Sequence, residues 1–206
     1  MNKIAISIVL LPSKEMVNKT IKMNKDLGAI HNENIILGHK ENVPHITLCM
    51  GAVFKSEIPE VITIIDKISN EFTQFEFEAN LKVQISDNNE KITWLSILNK
   101  EKIQELHEFV MNKMRNYLDF EIEKRMLIRP ETIRKSTISW IKSYSNIHDD
   151  PILYEPHITI GMGETAKNDM NFKFYSAEMA LFQLGNYCTC ARLIYSTNLN
   201  EQQYSS

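Results

Sequence analysis

Pro44-His45-Ile46-Thr47-Leu48-Cys49-Met50-Gly51 returns almost unchanged as Pro156-His157-Ile158-Thr159-Ile160-Gly161-Met162-Gly163, with six of the eight positions identical. Each copy is a short apolar run bounded by turn formers, the pattern of a buried strand. Successive side chains of a strand alternate between its faces, so residues i and i+2 share a side. His45, Thr47 and Cys49 therefore fall on one face of the first predicted strand, and His157 and Thr159 on one face of the second. Ile46, Leu48 and Met50 take the opposite face, as do Ile158, Ile160 and Met162. Each strand then has an apolar side for a core and a polar side bearing an imidazole and a hydroxyl. Two imidazoles that face each other make a general acid–base pair, because a group titrating near pH 6.5 exists in both forms close to neutrality. The hydroxyls suit a phosphate, and the small residues Gly51, Gly161 and Gly163 on that side leave room for a ligand.

The doubled His-x-Thr-x pattern, His45-Ile46-Thr47-Leu48 and His157-Ile158-Thr159-Ile160, resembles the two-histidine (2H) phosphoesterase superfamily. That group includes the LigT-like RNA 2′-5′ ligases and the 2′,3′-cyclic-nucleotide phosphodiesterases. The likeness extends to the opening strand-like run Ile4 to Leu11 and to a closing hairpin, Leu181 to Gly185 running on to Leu193-Ile194-Tyr195. It implies an α+β fold of two pseudo-symmetric lobes, each an antiparallel sheet with outer helices, facing across a central groove. It implies one bilobal domain over residues 1–206, with an insertion at about 119–150, the least family-like stretch. It also implies that His45 and His157 are catalytic and that Thr47 and Thr159 bind the substrate phosphate, with no metal and no cofactor. The expected activity is hydrolysis of 2′,3′-cyclic phosphate or 2′-5′-linked nucleotide or RNA substrates. Two alternatives are a non-catalytic binder of RNA ends or oligonucleotides and an RNA 2′-5′ end ligase. No Gly-x-x-x-x-Gly-Lys loop is present to support ATP-driven ligation.

At 206 residues the chain can bury a substantial core. Apolar residues make up 43% and charged residues 24%, and the formal net charge is −3. Such a balance argues against coating long duplexes but is compatible with gripping one phosphate or a short oligonucleotide. No apolar run approaches a membrane span. The run Ile4 to Leu11 is followed by Pro12-Ser13-Lys14-Glu15, which is no cleavage site, and so reads as a strand. Cys49, Cys188 and Cys190 cannot all pair, so reduced thiols and a cytoplasmic location are expected, with no obligate protein partner evident.

Helical spacing predicts helices over about 13–27, from Ser56, from Asn99 and from Glu131 to about Tyr144, with Ser56 and Asn99 as caps. Phe75-Glu76-Phe77-Glu78 opens a strand to about Ile85, and a turn at Asp87-Asn88-Asn89-Glu90 leads into its partner, Lys91 to Leu98. Further strands are expected over 173–184 and 188–197, and a frayed tail from Asn200.

Secondary candidates surround the repeat. Cys49 is expected to border the groove as wall rather than nucleophile. Arg129, Arg134 and Lys135 lie in the stretch where basic residues outnumber acids, and they are possible phosphate contacts. Trp140 and Tyr154 are possible base-stacking contacts. His148, Asp149, Asp150, Glu155 and His157 are ligand-type residues, but a turn at Asp149-Asp150-Pro151 and an extended Glu155 do not converge them on a metal. His31, His39 and His107 show no pattern and are expected at surface or capping positions.

Overall fold

The structure, a computed structural model, describes residues 2–28, 35–85, 90–165 and 170–200. Among these residues, seven strands form one antiparallel sheet: β1 (Lys3–Pro12), β2 (Ile46–Phe54), β3 (Phe75–Ile85), β4 (Lys91–Ile97), β5 (His157–Met162), β6 (Asn171–Leu184) and β7 (Cys190–Asn198). Four α-helices accompany them: α1 (Lys14–Gly28), α2 (Ile58–Glu71), α3 (Glu101–Met114) and α4 (Lys135–Asp149). The path through the sheet is β2-β1-β6-β3-β4-β5, with β7 paired to β6 off that path.

Strand β6 joins the two lobes. Its first half, Asn171 to Ser176, pairs with β3, and its second half pairs with β1 and β7. One lobe is thus β2-β1-β6-β7 and the other β6-β3-β4-β5, which is the expected two-lobed α+β architecture. The two motif strands, β2 and β5, occupy opposite ends of the path and yet touch each other.

Helices α2 and α3 cover the side of the sheet that carries the apolar alternation. Ile4, Ile6, Ile8 and Leu10 of β1 join Phe75 and Phe77 of β3, Leu95 and Ile97 of β4, and Ile158 and Ile160 of β5 in one core. Val61, Ile65 and Ile68 of α2 and Ile103, Leu106 and Val110 of α3 close it. Glu76 and Glu78 point to solvent between the buried phenylalanines, as the alternation requires. A second apolar cluster lies on the other side. There Ile133, Ile141 and Tyr144, with Ile122, Met126 and Leu127, pack on Ala5, Met50, Ala52 and Leu184.

Two cap expectations are corrected. Ser56 lies inside a 3-10 turn, Lys55–Glu57, that precedes α2, and Glu57 accepts a hydrogen bond from the Phe54 amide at 3.2 Å. Asn99 caps nothing: its side chain accepts from the Glu78 amide at 2.9 Å and donates to the Glu76 carbonyl at 2.8 Å, tying the β4–α3 connection to β3. At the tail, Asn200 is held rather than frayed, because its amide donates to Ser69 and Phe72 carbonyls. The predicted turn residues Asp87, Asn88 and Asn89, and His31, lie outside the described residues.

Candidate active site

Proline opens both motifs, and its effect is the same in each. Val43-Pro44-His45 and Glu155-Pro156-His157 bring a carbonyl back onto the imidazole two residues later. His45 Nδ1 bonds the Val43 carbonyl at 2.6 Å, and His157 Nδ1 bonds the Glu155 carbonyl at 2.7 Å. A carbonyl only accepts, so Nδ1 of each ring carries the proton and Nε2 is the nitrogen left for chemistry. The two imidazoles, Thr47 and Thr159 line one cavity of about 340 Å³ and are all half-buried.

Burial lowers the pKa of both histidines. His45 is held down to about 4 by loss of solvent, opposed by its Val43 hydrogen bond and reinforced by the charge of His157. His157 is lowered by the same burial, while its own carbonyl bond to Glu155 and the Glu155 charge pull it upward. Trp94 of β4 also bears on His157: the rings are 4.3 Å apart at 38°. An aromatic face favours a cationic neighbour, so this contact supports the protonated form of His157. The sequence reading passed over Trp94. Its signal is its place in a strand that pairs with the second motif, opposite Thr159.

Strict alternation fails just after each threonine, and it fails in the same way twice. The β1–β2 register slips between Ile8 and Val9, leaving Leu48 as the extra residue. The β4–β5 register slips between Thr93 and Trp94, leaving Ile160 as the extra one. A β-bulge reverses the facing of everything beyond it. Met50 and Met162 therefore line the cavity with the histidines and threonines. Cys49 is turned into the core beside Ile46 and Leu48, fully buried, and does not border the groove. Burial pushes its thiol up to about 12, far from a thiolate. Gly51 likewise makes room for protein rather than ligand: a Cβ there would lie 3.0 Å from Leu118 Cδ2 and 3.3 Å from the Asp119 carbonyl oxygen.

The remaining candidates separate. Tyr154 is a buried strut, not a stacking surface. Its hydroxyl donates to the Thr47 carbonyl at 2.8 Å, and its ring lies on His107 at 3.8 Å with an angle of 3°. His107 is fully buried, not at the surface, and its Nδ1 donates to the Leu48 carbonyl at 2.6 Å. The second motif's approach and α3 together thus brace the bulge of the first motif. His39 is exposed on the 35–43 connection. Trp140, Ser143 and Tyr144 carry α4 to the cavity wall. Arg129, Arg134 and Lys135 do not line it. Arg129 pairs with Glu41 at 3.3 Å, Arg134 with Glu90 at 2.8 Å, and Lys135 is exposed. His148 meets Asp149 at 3.0 Å, and among the described residues no three His, Cys, Asp or Glu side chains converge.

All three cysteines are free thiols, and no helix among the described residues is long and apolar enough to cross a membrane. No family model matches the chain, and no curated protein does. Among solved structures it is similar to TT0787 of Thermus thermophilus, with a TM-score of 0.58 and 13% identity, over 97% of this chain and 100% of that one. At that identity the likeness is one of fold, and it extends over nearly the whole chain.

Proposed function

We propose that the protein is a phosphodiesterase that hydrolyses 2′,3′-cyclic phosphate or 2′-5′-linked nucleotide substrates with His45 and His157 as its acid–base pair. The observation that carries the reading is the duplicated anchor: two imidazoles in one cavity, each with Nδ1 on the carbonyl two residues back and a threonine two residues on. A structural histidine has no need of a twin in the same setting. The two-lobed fold agrees with what the His-x-Thr repeat implies.

The surroundings favour an assignment. His45, held to about 4, is neutral and takes the proton of the attacking water through Nε2. His157, supported by Trp94 and Glu155, gives a proton to the departing ribose oxygen. Thr47 and Thr159 donate to the non-bridging oxygens, where charge grows in the transition state. Run backward, the same groups exchange roles and join ends instead.

The test is a panel of 2′,3′-cyclic nucleotides and 2′-5′ dinucleotides, with products identified by mass spectrometry, in the presence and absence of EDTA. Turnover that survives the chelator and is lost in His45→Ala and His157→Ala is expected. Binding without turnover across the panel would replace this reading with that of an oligonucleotide-end binder.

A further inference from the structure

We propose that the corner between Trp140 and Tyr187 seats the base of the substrate, and that Arg134 is a positioning residue for Tyr187. This rests on the phosphodiesterase reading and extends it to the part of the ligand that does not react. Both rings line the cavity that holds the four motif side chains. They stand 6.4 Å apart at 38°, each half-buried, so aromatic surface is open to the cavity from two directions.

The backbone that presents Tyr187 is costly. Tyr187 has φ 57° and Cys188 has φ 56°, two successive side-chain-bearing residues in the left-handed region. A bulky residue there is a true outlier, and such strain persists only where the surroundings impose it. They do so here from α4 and the residue before it. The Arg134 amide and Thr137 Oγ1 both donate to Asn186 Oδ1, at 3.0 and 2.8 Å. Thr137 Oγ1 accepts from the Tyr187 amide at 2.9 Å. Arg134 Nη1 donates to the Tyr187 hydroxyl at 2.7 Å, and its Nη2 donates to Glu90 at 2.8 Å. The hairpin closes tightly behind the turn: a Cβ on Gly185 would lie 2.9 Å from the Ala191 Cβ.

Charge points the same way. Arg134 is committed to Tyr187 and Glu90, and among the described residues no Lys or Arg lines the cavity. Beyond the imidazoles and hydroxyls the walls are mostly apolar, with Ile85, Ile92 and Trp94 facing the same space. At about 340 Å³ the cavity is at the small end of the range for small-molecule sites, about 300–1,000 Å³. The ligand that matches has one phosphodiester and one flat, uncharged ring: a mononucleotide rather than a chain of phosphates. The stretch at 119–150 then acts on substrate choice through α4, by aromatic contact and by holding the turn.

Steady-state kinetics on adenosine 2′,3′-cyclic phosphate and on the base-free methyl riboside 2,3-cyclic phosphate test this. Tyr187→Asn removes the ring while suiting a left-handed backbone, and Trp140→Leu removes the other ring independently. Each should raise KM for the nucleotide by roughly 5- to 150-fold, the span of one lost base–aromatic stack, and leave the base-free compound unchanged. Tyr187→Phe should keep most of the affinity. Arg134→Met should raise the same KM and add nothing in the Tyr187→Asn background. Equal losses on both compounds, no loss on either, or an Arg134 effect that adds to that of Tyr187, would overturn the proposal. Calorimetric binding of adenosine 2′-monophosphate separates the two readings. Tyr187-dependent binding without turnover of any cyclic phosphate keeps the base seat and removes the reaction. Turnover with binding indifferent to both rings keeps the reaction and removes the seat.

Discussion

The imidazoles of His45 and His157 share an anchor but not an environment, and the difference is testable. Loss of either ring as alanine should abolish turnover with the fold intact, and the double substitution should cost little more than one, because acid and base act as a unit. Thr47→Ala and Thr159→Ala should each cost roughly 10- to 1,000-fold in kcat, the range for one lost oxyanion donor. Because burial lowers both histidines from 6.5, the bell of kcat/KM for the free enzyme should be displaced to the acid side of neutrality. A plateau centred above about pH 7.5 would rule out this pair as the titrating groups. Tyr154→Phe removes only the hydroxyl that reaches the Thr47 carbonyl, so it should lower kcat more than it raises KM.

At the scale of elements, the paired bulges decide which residues meet the substrate. Cys49→Ala should leave kcat near that of the parent while lowering stability by about 0.5–1.5 kcal/mol, the cost of a small deletion in a packed core. Loss of turnover in folded Cys49→Ala would return Cys49 to the groove. Gly51→Val forces a branched side chain against Leu118 and the Asp119 carbonyl, and should cost about 1–3 kcal/mol in urea unfolding. Periodicity made the strands and helices themselves legible: β3 has the bounds read from Phe75-Glu76-Phe77-Glu78, and α1 (Lys14–Gly28) lies one residue from the expected 13–27 at each end. It could not show the bulges, because a bulge is a relation between two strands and leaves no gap in either one. Nor could it see that Asn99 would find β3 backbone groups within reach before it found a helix to cap.

For the whole molecule, three buried or half-buried histidines set the response to acid. His45, His157 and His107 all have folded pKa values below 6.5, chiefly through burial. The unfolded chain therefore binds more protons than the folded one as pH falls below 6.5, and stability declines with it, the His45 share being exhausted near pH 4. Melting temperature should fall from about pH 7 towards 4, and the slope should be shallower in His45→Gln. An unchanged slope would mean that His45 is not held neutral. The sequence by itself determined the repeat and the two motif strands, because strand alternation and a doubled motif are local facts, and the resemblance those motifs carry implied the α+β class and the four residues offered for chemistry. Tertiary structure alone decided the rest. A sheet path through β6 brings its two end strands together, so residues distant in the chain share one cavity. Packing sends Cys49, Tyr154 and His107 into the interior, and a strained turn gripped by α4 sets Tyr187 beside Trp140. None of these contacts is written in spacing, because each depends on which faces are buried against which once the core has closed.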